Sequence, residues 1–225
     1  DSYFLVEDNS EPINFSVPTG NFGDVYAGYL AKKIGLPINK FVVATNQNDI
    51  LHRAITNGAY NVENVLETIS PSMDIQIASN FERLIFDLNN QSGKKTIEVM
   101  KGIKEKGKYE IQKEFLDRIN NDFLSSRMDE NEVLNTIKSI YEKFDKVLDP
   151  HSAIGYGAFD KVNLKGNNIV LATAHPCKFP DAIEKAINIK AELPSELASI
   201  LNEKENYDIL ENNPDKIKQH IKERI

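Results

Sequence analysis

Ile13, Phe15 and Val17 alternate with polar neighbours, a two-residue period that predicts a short strand. From Val25 the period changes. Val25, Ala27, Tyr29, Leu30, Ile34 and Leu36 recur at helical spacing, and Gly35 followed by Pro37 supplies a stop. Residues 41–45 (F-V-V-A-T) are a continuous apolar run and predict a second strand, after a helix of about the right length for a parallel crossover. Residues 13–45 therefore read as a βαβ unit, with the next helix expected to start near Asn48 or Asp49, either of which can cap it.

Residues 80–144 show no strand pattern and predict helices throughout. Phe81, Leu84, Ile85 and Leu88 make one amphipathic face, and Ile111, Phe115, Leu116, Ile119, Phe123 and Leu124 make another. Val133, Leu134, Ile137, Ile140, Tyr141 and Phe144 define a third, with Asp129 as cap and Glu132 completing a capping box. After the turn Lys165-Gly166-Asn167, residues 168–172 (N-I-V-L-A) predict a third sheet strand. The expected division is an α/β segment over 1–79 with the ligand loop, a helical insertion over 80–148, and a closing α/β segment over 149–225.

Composition narrows the class. At 225 residues, 40% hydrophobic and 27% charged, the chain can bury a full core and is too apolar for disorder. A net charge of -7 provides no basic patch and argues against nucleic acid as a partner. No apolar run approaches the length of a membrane span, and no signal-peptide plan is visible, so no membrane partner is expected. A lone Cys177 cannot form an internal disulfide, which fits a reducing, cytoplasmic setting. Four histidines and one cysteine form no cluster with metal-ligand spacing, so no metal is expected.

The chemistry gathers in two strand-end loops. Between the first strand and the first helix, Gly20, Asn21, Phe22, Gly23 and Asp24 form a glycine-bounded turn. Backbone N–H groups at such a helix start lack intrahelical partners and suit a phosphate, and glycine lets the ligand approach the chain. The second loop, Thr173-Ala174-His175-Pro176, ends the third strand and can face the same crevice. Asp149 and Pro150 read as a helix start, with His151 given no reaction step. Asn46, Asn48 and Asp49 are possible substrate contacts that capping also explains, and Lys178 is either a charge for a phosphate or a surface residue.

Four segments carry a resemblance. Residues 15–49, which contain S-V-P-T-G-N-F-G-D, residues 69–88 (I-S-P-S-M-D-I-Q-I-A-S-N-F-E-R-L-I-F-D-L), residues 149–158, which begin D-P-H-S-A, and residues 171–179 (L-A-T-A-H-P-C-K-F) resemble, in the same order, segments of the threonine synthase family. The resemblance implies a pyridoxal 5′-phosphate enzyme acting on O-phosphohomoserine and water to give threonine and phosphate. It implies an α/β fold: part of the doubly wound, mostly parallel sheet of the tryptophan-synthase-β-like class, with a large all-helical insertion. By the same resemblance, Gly20, Asn21, Phe22, Gly23 and Asp24 wrap the cofactor phosphate and Thr173 meets the pyridine nitrogen. The family's cofactor-anchoring lysine lies upstream in a phenylalanine-lysine-aspartate context that no lysine here matches, so the chain resembles the C-terminal half alone, with no catalytic residue of its own and an N-terminal domain missing or separate. The alternatives are an inactive split or decayed homologue, or, ranked lower, another enzyme of the cofactor fold such as a threonine or serine dehydratase.

Overall fold

The computed structural model describes residues 11–225. Four parallel strands form the central sheet in the order β5-β2-β1-β6, where β1 is Ile13–Pro18, β2 is Ile38–Thr45, β5 is Phe123–Arg127 and β6 is Asn167–Val170. The predicted βαβ unit is present: β1 leads through α1 (Gly23–Lys33) to β2, with Phe15 opposite Phe41 and Val17 opposite Val43. A two-stranded antiparallel ribbon joins β3 (Ala59–Asn61) to β4 (Lys108–Glu110).

Helices cover both faces of the sheet, so a central strand is apolar on both sides. Phe41 and Val43 of β2 face a core that contains Phe22, Val25, residues of α2 (Ile50–Asn57) and α3 (Phe81–Leu88), and Phe123. Val42 and Ala44, one residue out of phase, face the other core with residues of α6 (Glu130–Phe144), α7 (Pro150–Val162) and α8 (Pro180–Ile187). The capping box at Asp129 and Glu132 forms in both directions and starts α6. All four apolar residues expected on one face of α3 are buried.

The expectation of helices without any strand over 80–144 is corrected. After α4 (Gly93–Lys106) comes β4, and α5 (Lys113–Asp122) runs directly into β5, which pairs with β2 through Phe123 opposite Phe41. The reason is a long-range pairing. Ile119 and Phe123 stand four apart and continue the helical period, but α5 buries Ile119 alone, and Phe123 turns into the sheet beside Phe41, with ring centroids 5.7 Å apart. Capping of α2 also differs: Asp49 precedes it without a side-chain cap bond.

The chain divides into two compact units, one ending at Ala191 and one running from Glu192 to Ile225. The second holds a 3-10 helix, Ser195–Asn202, and α9, Pro214–Lys222, whose start Asn213 caps by accepting from Asp215 and Lys216 N–H. No helix among the described residues is long and apolar enough to cross a membrane.

Candidate functional site

All four strands of the sheet run the same way, so the loops after β1, β2, β5 and β6 share one edge. From β1 the chain crosses to β2 on one side, while β6 pairs with β1 on the other. The gap between β1 and β6 is thus a topological switch point, where diverging loops open a crevice at the carboxyl ends of the strands. The glycine loop follows β1 and the loop carrying Thr173 follows β6, so the two lie one on each side of it. The two strands stay paired up to this edge, Leu171 N–H donating to Ser16 O at 3.0 Å.

The glycine loop is held from below. Phe22 has left-handed backbone (φ 69°), and its ring is fully buried, 5.3 Å from Phe81 edge-to-face and 5.6 Å from Phe123. Left-handed geometry outside glycine costs on the order of 1–3 kcal/mol. Burial of a phenylalanine returns about as much, roughly 1.5–3 kcal/mol. A left-handed residue in a turn is also one half of the backbone concavity that receives anions. Thr19 N–H is spent on Ala44 O at 2.8 Å and Gly23 N–H on Asn21 Oδ1 at 2.9 Å. Among the described residues, the N–H groups of Gly20, Asn21 and Phe22 donate to no protein acceptor.

Both glycines are sterically required to different degrees. A Cβ on Gly20 would lie 2.8 Å from Ser72 O and 3.1 Å from Met73 Cα, so the 3-10 turn Pro71–Met73 is packed directly against the loop. A Cβ on Gly23 would meet side-chain ends, Asn21 Oδ1 at 3.0 Å and Asn80 Nδ2 at 3.3 Å. Asn80 is a neighbour that the sequence reading assigned no part. Its N–H donates to Asn21 O at 3.0 Å, and although it precedes α3 its side chain makes no cap bond.

Thr173 is exposed, and its hydroxyl has no partner among the described residues. A capping role for it is excluded, because His175 Nδ1 accepts from Cys177 N–H at 3.2 Å and caps the following turn instead. Thr173 N–H donates to Ser152 Oγ at 3.2 Å. Lys178 is exposed in the same turn.

Beneath the two loops lies Asp149, 1% exposed, at the start of α7. The expected cap is there: Asp149 accepts from the N–H groups of His151 at 2.9 Å and Ser152 at 3.3 Å. The same carboxylate also accepts from His151 Nδ1 at 3.0 Å and, by a short bond, from Ser152 Oγ. His151 Nε2 accepts from Ser72 N–H at 3.3 Å, so the ring carries its proton on Nδ1 and both nitrogens are engaged. Burial pushes the Asp149 carboxyl up, but hydrogen bonds from His151 and Ser152 outweigh it and hold the group below the ordinary carboxylate value.

Asn46, Asn48 and Asp49 are occupied internally. Asn46 Nδ2 donates to Asp74 Oδ1 at 2.8 Å, and Asn48 exchanges bonds with the Leu66 backbone, giving to its O and accepting from its N–H, both at 2.8 Å. Asp49 pairs with Arg53 at 2.8 Å and Arg127 at 2.9 Å. Burial raises its carboxyl, and the two guanidiniums more than reverse this and leave it lowered. Among the described residues no group of histidine, cysteine and carboxylate side chains is arranged to hold a metal.

Residues 152–221 match the family model described as threonine synthase, C-terminal. The chain is 40% identical over 212 residues to the threonine synthase of Pseudomonas aeruginosa, a match covering 93% of this chain and 45% of that one. It is 42% identical over 199 residues to the Saccharomyces cerevisiae threonine synthase, covering 80% and 39%. The PLP-bound threonine synthase of Brucella melitensis superposes with a TM-score of 0.88 at 40% identity, over 99% of this chain and 49% of that one. The yeast structure gives 0.84 at 37% identity. The chain spans about half the length of the relatives it matches or less. In sequence and in fold, then, the chain belongs to the threonine synthase family and corresponds to the C-terminal region of its members.

Proposed function

We propose that this chain supplies the phosphate-binding half of a pyridoxal 5′-phosphate site in a threonine synthase, the cytoplasmic enzyme that converts O-phospho-L-homoserine and water to L-threonine and phosphate. The observation that carries the reading is the meeting of two loops at the β1/β6 switch point, one with unpartnered backbone donors and one with an unpartnered hydroxyl.

The residues present fit the cofactor. In the turn formed by Gly20, Asn21, Phe22, Gly23 and Asp24, the unpartnered N–H groups of Gly20, Asn21 and Phe22 suit a phosphate. Thr173 offers a neutral hydroxyl to a pyridine nitrogen, which leaves that nitrogen without the proton a carboxylate would impose. When bound, pyridoxal phosphate supplies an electron sink for charge developing on the substrate carbon. This chain's part is to hold the phosphate, fix the ring's tilt through Thr173 and present one wall of the crevice. By the family resemblance, the lysine that would anchor the cofactor and move the α-proton belongs to the N-terminal half of the enzyme.

The test is an absorbance titration of the chain with pyridoxal phosphate and with pyridoxal. Two or more hydrogen bonds to a charged phosphate, about 1.5–3 kcal/mol each, make the phosphorylated form at least about 100-fold tighter. Equal affinity for the two refutes the reading.

A further inference from the structure

We infer that Asp149 is a positioning residue that couples the two sides of the crevice, fixing the loop of Thr173 and the wall of the phosphate cradle from one buried charge. This rests on the cofactor reading above and goes beyond the cap that the local sequence explains. A cap needs one or two bonds from backbone N–H groups. Asp149 accepts those and two side-chain bonds besides, and each side chain passes the connection to a different loop.

On one side the order of donors is Thr173 N–H to Ser152 Oγ, then Ser152 O–H to Asp149 Oδ2. On the other it is Ser72 N–H to His151 Nε2, then His151 Nδ1–H to Asp149 Oδ1. Both chains point the same way, toward the carboxylate, so each bond polarises the next in line. Ser72 is the residue whose carbonyl would lie 2.8 Å from a Gly20 Cβ, so the second chain ends on the wall of the cradle. The first ends on the backbone of Thr173, the residue whose hydroxyl the cofactor reading assigns to the pyridine nitrogen. His151 is 4% exposed and its ring sits 4.8 Å from that of Phe179, which keeps this connection out of water. A buried carboxylate with charge-assisted bonds is stronger than a neutral acceptor in the same place. The distance between a ring-nitrogen partner and a phosphate cradle must match a rigid cofactor, and a shared anchor sets both ends together.

Amide hydrogen exchange of the 225-residue chain, read by NMR at Thr173 and Ser72, tests this without cofactor. Ser152→Ala removes the acceptor of Thr173 N–H and keeps both backbone cap bonds. It is expected to lower protection at Thr173 on the order of two- to tenfold and leave Ser72 unchanged. His151→Phe retains the packing on Phe179 and is expected to do the reverse. Asp149→Asn is expected to lower both while Val42 and Val43 in the sheet stay protected. Titration with pyridoxal phosphate adds a second readout: the bound cofactor's absorption shifts in Ser152→Ala, with its affinity changed less than in His151→Phe. An unchanged Thr173 amide in Ser152→Ala overturns the coupling however Asp149→Asn folds. Loss of protection at one loop alone, or evenly through the sheet, in Asp149→Asn also overturns it. Should the exchange pattern hold in a chain that binds no pyridoxal phosphate, the coupling stands and the cofactor reading falls.

Discussion

Gly20→Ala is the sharpest probe of the cradle. The new methyl would sit 2.8 Å from Ser72 O and 3.1 Å from Met73 Cα, both backbone atoms that no rotamer change can move. Ordinary contact begins near 3.4 Å, so the glycine loop and the Pro71–Met73 turn must part by about half an ångström. Overpacking of this kind costs about 1–3 kcal/mol. The displaced atoms include the N–H groups proposed to hold the phosphate, so the loss is expected to fall on binding as well as on stability, and the dissociation constant for pyridoxal phosphate to rise about 10- to 100-fold. Gly23→Ala is the internal control. Its methyl meets the ends of the Asn21 and Asn80 side chains, which can rotate away, so the same titration changes severalfold at most. Absorbance titration and thermal melting of both variants decide the matter. Gly20→Ala binding as tightly as Gly23→Ala, or as tightly as the parent, refutes the geometry.

Three further outcomes are expected. Thr173→Asp puts a carboxylate at the pyridine position and shifts the absorption of bound pyridoxal phosphate; an unaltered spectrum removes Thr173 from the site. Asp49, lowered by Arg53 and Arg127, contributes stability that is complete above the ordinary carboxylate range near pH 4 and lost as pH falls through its lower folded value, so Asp49→Asn should flatten the acid limb of urea midpoint against pH; an unchanged slope would place the loss elsewhere. Gly102 lies inside α4 with open space where a Cβ would be, and Gly102→Ala should stabilise the chain by about 0.8–1 kcal/mol, seen as a higher melting temperature, while a fall would mean that the helix needs its glycine.

What the sequence discloses follows from the range of the interaction. The βαβ unit, α3 and the capping box of α6 are written in spacings of two, four and three residues, and they appear where those spacings predict. β5 was hidden because α5 enters it with no breaker and Phe123 keeps helical phase with Ile119; its place is set by pairing with β2, which periodicity along one segment does not encode. The candidate site divides in the same way. The glycine loop and the cap at Asp149 are local and legible. The bond from Ser72 to His151 spans 79 residues, and the approach of Asn80 to Gly23 depends on α1 and α3 packing side by side, so neither leaves a local signal. Asn46 and Asn48 look available in sequence because the partners that occupy them, Asp74 and Leu66, are reached through a later loop.

Phe22 gives the cradle a thermodynamic property of its own. Its ring is clasped by Phe81 and Phe123, residues remote in the chain, so the left-handed turn exists only once three separate segments have assembled. On the proposed reading of the loop, the unfolded chain therefore has no receptor for the cofactor phosphate, and every molecule bound draws the population toward the folded form. At a free ligand concentration 100 times its dissociation constant that linkage is worth about 2.7 kcal/mol. A cell short of the cofactor would then hold less of the folded protein, with supply of the vitamin governing abundance as well as occupancy.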